Sequence, residues 1–263
     1  MSKLLEYVRT KHAEILCEVD EATIFHLERE FLASAAQSDK PELLAFAGGS
    51  GSGKTTYQTK FGKKEGYFLH DMDVVMVRMP GYIAEPDLVK AFEKTWRVAQ
   101  KLSDIMVNFA LDSRMNIIFD RTCGAESSFI TLQRARSLGY NMIMFGLYIE
   151  EDIALARVAE RSKALGRTVT EAMTIEYRAR FSALWPSYLQ IFDEATLLYS
   201  REDYPVIFTT SETQRAQIDQ SHAGRVFAQI KYAEFLAPGK AINFAEMFPN
   251  IPADKNFAQQ ARA

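Results

Sequence analysis

A chain of 263 residues has room for one large α/β domain or two small ones, and not for a long string of domains. Hydrophobic residues at 48% and charged residues at 25%, with only 13 Gly and 8 Pro, exclude a disordered or fibrous chain. The charge sum of 31 basic against 34 acidic residues, −3, offers no global positive field to nucleic acid or anionic lipid, so any basic site has to be local.

The chain opens with Leu5, Val8, His12, Ile15, Leu16 and Val19 at helical spacing, and Ile24, Leu27, Phe31 and Leu32 repeat the pattern after Asp20, a good capping residue. Two helices are expected over the first 36 residues. Charges at Lys3, Glu6 and Arg9 make a secretion signal there unexpected. Ser38-Asp39-Lys40-Pro41 reads as a linker, because proline cannot continue a helix.

From Glu42 onward short apolar runs alternate with helical segments: 43–47, 67–69, 116–119, 141–149 and 205–208. That texture predicts a mostly parallel central sheet flanked by helices, an α/β fold. A long apolar stripe from Leu88 to Phe109 predicts one extended helix opening at Pro86, and a helix over 129–138 should stop at Gly139. Beyond Pro238-Gly239 the chain reads as irregular. The expected organisation is an N-terminal helical extension (1–38), a catalytic α/β domain (42–236) and a C-terminal tail (237–263).

Several chemistries are excluded on the way. The apolar runs are about one strand long, short of the ~20 residues of a membrane helix. His12, His26, His70 and His222 provide no zinc-binding helix pair, and no Gly-x-Ser-x-Gly elbow is present. Cys17 and Cys123 lie far apart, so a reducing, cytoplasmic setting is expected.

One motif is specific. Gly48-Gly49-Ser50-Gly51-Ser52-Gly53-Lys54-Thr55 matches Gly-x-x-x-x-Gly-Lys-Ser/Thr between a predicted strand and a predicted helix. Its amides, continuing to Thr56, would cradle the phosphates of ATP; Lys54 would reach the β- and γ-phosphates and the Thr55 hydroxyl would ligate Mg²⁺. No Asn-Lys-x-Asp guanine reader follows, and no apolar run ends in Asp-Glu, which favours a small-molecule kinase over a GTPase or motor.

Asp71 and Asp73 fall just past the second strand, at the sheet edge where open α/β folds bind ligands. If the strand persists, the two carboxylates point the same way, one assisting Mg²⁺ or substrate and Asp73 taking the proton of an attacking hydroxyl. A turn with helix-capping side chains is the alternative. Asp120 and Thr122 end the third strand and either bind substrate or cap the next helix. Arg157, Arg161, Lys163 and Arg167 crowd a helix and its following loop. Arg161 and Arg167 are expected to offset charge on a transferring phosphoryl, Arg157 to belong to a solvated stripe with Glu160 or Glu171.

These pieces, with 70–73, 116–122, Leu-Gly-Tyr at 138–140, Glu160-Arg161, Gly-Arg-Thr-Val-Thr at 166–170 and 191–202, resemble the zeta toxin family of P-loop kinases over roughly residues 42–210. The resemblance implies transfer of the ATP γ-phosphate to a hydroxyl of a nucleotide sugar such as UDP-N-acetylglucosamine. It matches Asp73 to the catalytic base, Arg161 and Arg167 to the lid arginines, and Asp120 and Thr122 to substrate-binding positions. The family's Glu-Gly-Thr-x-Arg becomes Asp120-Arg121-Thr122-Cys123-Gly124, which lacks the last arginine unless Arg121 substitutes for it and opens the acceptor to alternatives such as NAD or a nucleoside. The family also implies an antitoxin or regulatory partner, and action in the cytosol of its own or another cell. A nucleotide-gated binding module without turnover is the rival from a different class.

Overall fold

The computed structural model describes residues 2–62, 64–165, 169–201, 203–218 and 220–251. Helix α1 (Lys3–Lys11) ends at His12, and a 3-10 turn (Ala13–Cys17) follows where a single helix to Val19 is expected. The turn redirects the chain while keeping Ile15 and Val19 buried. As expected, Asp20 caps α2 (Glu21–Leu27), accepting from Thr23 N at 2.7 Å, and a π turn (Glu28–Leu32) prolongs it.

The remaining elements alternate: β1 (Glu42–Ala47), α3 (Lys54–Phe61), β2 (Tyr67–His70), α4 (Met72–Met76), α5 (Pro80–Ile83), α6 (Leu88–Asp112), β3 (Asn116–Arg121), α7 (Glu126–Ser137), β4 (Asn141–Tyr148), α8 (Glu151–Leu165) and α9 (Glu171–Ile191). Then come β5 (Glu194–Tyr199), β6 (Val206–Thr209), α10 (Glu212–Arg215), α11 (His222–Leu236), a 3-10 turn (Pro238–Ala241) and α12 (Phe244–Met247). Helix α6 starts two residues later than the proline suggests: Asp87 is its cap, accepting from Val89 N and Lys90 N. A carboxylate that satisfies two orphan amides sets a helix start more firmly than a preset φ. Gly139 takes φ 77° after α7, as a helix stop requires.

The six strands lie in the order β2-β3-β1-β4-β5-β6, all parallel except β6, which runs antiparallel to β5. Strand β1 sits centrally, paired with β3 and β4, and its burial on both faces explains its uninterrupted apolar run. The two faces are unequal. The α6, α7 and α9 face carries the large core with Phe119, Tyr140, Trp185 and Tyr188; the α3 face carries a small cluster of Leu44, Phe46 and Ile118.

Both ends of the described chain join this core. Leu4, Val8, Ile24 and Leu27 lie in the large cluster, as do Phe248 and Ile251. Residues 237–251 are therefore docked rather than irregular: the 3-10 turn lies on α9, and Asn250 donates to Glu126 from both its backbone N (2.8 Å) and its side-chain nitrogen (3.0 Å). Among the described residues no helix is long and apolar enough to cross a membrane.

Candidate active site

The carboxyl ends of β1, β2 and β3 open into one cleft of about 560 Å³, within the range of small-molecule sites. Its floor is the glycine loop after β1. Gly51 takes φ 77°, and a Cβ there would stand 2.3 Å from Ala154 O, so only glycine lets the loop close against α8. Gly53 in the left-handed region turns the chain into α3, whose first residues, Lys54, Thr55 and Thr56, line the cleft. Lys54 Nζ donates to the carbonyls of Gly48 (2.6 Å) and Gly49 (3.2 Å), which keeps the ammonium over the loop. Thr55 and Thr56 line the same wall.

The acidic group at β2 differs from a continued strand. The strand ends at His70, and Asp71 caps α4, accepting from Asp73 N at 2.9 Å. The short helix turns Asp73 toward α8, where Arg161 Nη2 lies 3.3 Å from Asp73 Oδ2. Both carboxylates still border the cleft. The capping alternative thus holds for Asp71 together with a place in the site.

Asp120, at the end of β3 opposite Phe46 in register, is buried and faces the cleft. Burial pushes its carboxyl up to about 6; Lys54 and Arg161 pull against that, and Asp71 and Asp73 add to it. Thr122 lines the cleft and its carbonyl accepts from Gly48 N at 3.3 Å, tying β3 to the glycine loop. It caps no helix: Ala125 precedes α7, without a side-chain cap.

Helix α8 supplies the basic side of the cleft. Arg157 is exposed, as a solvated stripe would have it, and its Nη1 also donates to Gly51 O at 3.3 Å so that it lines the cleft. The reason is tertiary, since the close approach of α8 to Gly51 lays Arg157 along the loop. Arg167 lies outside the described residues.

Two features escape sequence reasoning, and two residues that it named only within the altered family motif, Gly124 and Arg121, acquire their setting here. Phe92 and Trp96 of α6, ring centroids 6.4 Å apart and nearly parallel, form one wall with Gln100, and Tyr177 of α9 forms the other. In the sequence Phe92 and Trp96 read only as apolar stripe, and nothing flags Gln100 or Tyr177. Arg178 packs its stem where a Cβ on Gly49 would fall, donates to Ile149 O and lies 5.9 Å over the Tyr148 ring. Nothing in the sequence flags it. A Cβ on Gly124 would lie 2.6 Å from Tyr177 O, so α9 fills the space that a longer residue at 124 would need. Arg121, beside Asp120, is ion-paired to Asp104 of α6 at 3.6 Å.

Comparison with known proteins bears on the family and the fold. The family model described as Zeta toxin matches residues 28–212. No curated protein matches the chain. Among solved structures the chain is similar to one from the PezAT chromosomal toxin-antitoxin system of the human pathogen Streptococcus pneumoniae. The TM-score is 0.55 at 17% identity, covering 88% of this chain and 98% of that one. It also matches the AvrRxo1-ORF1:-ORF2 complex with ATP, at TM-score 0.48 and 13% identity over 90% of this chain and 82% of that one. The same complex with sulphate ions matches at TM-score 0.48 and 12% identity, over 95% and 88%.

Proposed function

The chain belongs to the zeta toxin family of P-loop kinases, and on that premise we propose an ATP-dependent small-molecule kinase that phosphorylates a hydroxyl of a nucleotide-sugar-like acceptor of the UDP-N-acetylglucosamine type. The observation that carries the reading is Asp73 paired with Arg161 at 3.3 Å within the cleft floored by the glycine loop. A general base and a cation for the transferring phosphoryl thus lie side by side, which a pure binding module has no need of.

In the proposed reaction the loop amides and Lys54 hold the ATP phosphates, Lys54 exchanging the Gly48 and Gly49 carbonyls for phosphate oxygens. Asp73 accepts the proton of the acceptor hydroxyl as its oxygen bonds to the γ-phosphorus and the bond to the ADP oxygen breaks. Arg161, Arg157 and, from outside the described residues, Arg167 offset the charge on the phosphoryl in transfer. Asp71, Asp120 and Thr122 bind the acceptor. Mg²⁺ bound with ATP would neutralise charge on the β- and γ-phosphate oxygens. The donors around the cleft, the Thr55 hydroxyl and the carboxylates of Asp71, Asp73 and Asp120, are all oxygens and suit that ion, with Thr55 as the residue to hold it. Among the described residues there is no all-protein metal cage, which fits a cation held largely by the nucleotide.

Gly124 favours a second reading of the acceptor. With Tyr177 O 2.6 Å from where its Cβ would be, no arginine fits at 124 unless α9 moves, so a different hydroxyl compound such as NAD or a nucleoside becomes the alternative. In either case the protein acts in a cytosol that contains ATP, and an antitoxin or regulatory protein is the proposed partner.

Incubation with γ-labelled ATP and a metabolite extract, followed by identification of the labelled product, tests the reading. Asp73→Ala should lower transfer by about 10²–10⁴-fold with ATP affinity nearly intact. Lys54→Ala should lose both. Background labelling by the wild-type protein across the extract would refute the kinase.

A further inference from the structure

Arg178 stands on α9 directly after Tyr177, which walls the cleft, yet Arg178 is not among the described residues that line it. It reaches behind the glycine loop instead. A Cβ built on Gly49 would lie 2.3 Å from Arg178 Cγ, and the nearest atoms it would meet all belong to that side chain. The Gly49 backbone is not in the left-handed region, so the glycine is required for space, and the arginine stem fills that space.

The guanidinium continues to the exit of β4. Its Nη2 donates to the carbonyl of Ile149, a fully buried residue, and the group lies over the Tyr148 ring. A buried carbonyl without a donor costs free energy comparable to a lost hydrogen bond. Burial lowers the pKa of this guanidinium, against the pull of Tyr148, Glu151 and Glu150, and an arginine remains charged there. Helix α8, which begins at Glu151, carries Arg157 and Arg161. One side chain therefore touches both the back of the loop, whose Gly48 and Gly49 carbonyls hold Lys54, and the strand exit from which the basic helix starts.

The geometry points to Arg178 as a positioning residue for the bound triphosphate: its stem wedges the loop at Gly49 and its guanidinium pins the start of α8, so that Lys54 and Arg161 converge on one phosphate. Arg178 acts through the loop and through α8 rather than on the nucleotide itself. Its effect on transfer rests on the kinase reading, whereas its effect on nucleotide affinity is read without turnover.

The affinity of wild type and variants for a non-hydrolysable ATP analogue with Mg²⁺ is measured by calorimetry, each protein well below its own Tm, and transfer is followed with γ-labelled ATP. Arg178→Ala should weaken binding of the analogue and lower transfer by about 10²-fold, the usual cost of an ångström of misplacement. Arg178→Lys, which keeps the stem over Gly49 and a donor toward Ile149, should recover most of both. Gly49→Ala should weaken binding on its own, whereas Gly49→Ala combined with Arg178→Ala should be no worse than Arg178→Ala, because the new methyl takes the space the stem leaves. A lowered Tm with unchanged affinity and transfer, equal losses in Arg178→Lys and Arg178→Ala, or losses that add in the double variant would each overturn the role. If Arg178→Ala does not fold, Arg178→Met, which keeps the stem and loses the donors, replaces it in the comparison with Arg178→Lys, and equal behaviour of those two overturns the role. A wild-type protein whose nucleotide affinity depends on Arg178 but which transfers no label would refute the kinase and leave the positioning role standing.

Discussion

Asp120 and His70 lie at the carboxyl ends of neighbouring strands and respond to pH in opposite senses. Burial holds the Asp120 carboxyl at about 6 in the folded chain, above the ordinary aspartate range, so the folded state holds its proton more tightly than the unfolded state. Its ionisation therefore costs stability, fully above about pH 6 and not at all below about pH 4. Asp120→Asn should raise the Tm of the nucleotide-free protein at pH 7.5, by about 1–3 kcal/mol in stability, and the gain should fade as pH falls toward 4. A gain that does not change with pH would assign it to packing. His70 is held below 6.5 by burial and by Arg121, so the unfolded chain takes up the proton first. Stability that is present above about pH 6.5 is lost below it, at up to about 1.4 kcal/mol per pH unit, and denaturant titrations of His70→Leu should lack that slope. The glycine loop, Asp73 and Arg161 were legible as residues because their chemistry is carried by type and spacing. Arg178 was not, because an arginine's role depends on what it faces, and Arg121 stood out only as a substitute for the family's missing arginine.

At the scale of elements, the segment after Leu236 carries the clearest test. Phe248 is fully buried, and Gly239 sits where a Cβ would fall 2.5 Å from Ala183 N of α9. Phe248→Ala should cost about 3–5 kcal/mol, read as a shift in the urea midpoint. Gly239→Ala should also destabilise, because the obstructing atom is backbone. Neither effect would be seen if the segment were a loose tail. Five of six strands were readable from short apolar runs. Strand β5 was not, since Glu194 begins it only three residues after α9 ends, leaving no turn signal to separate strand from helix. Helix α9 also runs through Pro186, where a local rule would end it; burial of Trp185 and Tyr188 on either side outweighs the lost hydrogen bond.

For the molecule as a whole, the N-terminal helices are part of the core. Leu4, Val8, Ile15, Val19, Ile24, Leu27 and Leu32 are all buried in the large cluster. At roughly 1.5–3 kcal/mol each, their burial is comparable to the whole net stability of a domain, about 5–15 kcal/mol. Deletion of residues 2–36 should therefore leave a chain without a cooperative thermal transition; a truncated protein that melts sharply and binds ATP would refute this. The net charge of −3 conceals a local basic cluster: Lys54, Arg121, Arg157 and Arg161 line one cleft. The sequence by itself determined the glycine loop, the parallel-sheet texture and the identity of the candidate base, because these follow from backbone conformation and short-range spacing. Only the tertiary structure decided that Asp71 caps a helix, that Arg157 lies on the loop, and that Arg121 of β3 pairs with Asp104 of α6. Each depends on contacts between residues far apart in the chain, and no local pattern records where a long side chain will find its partner.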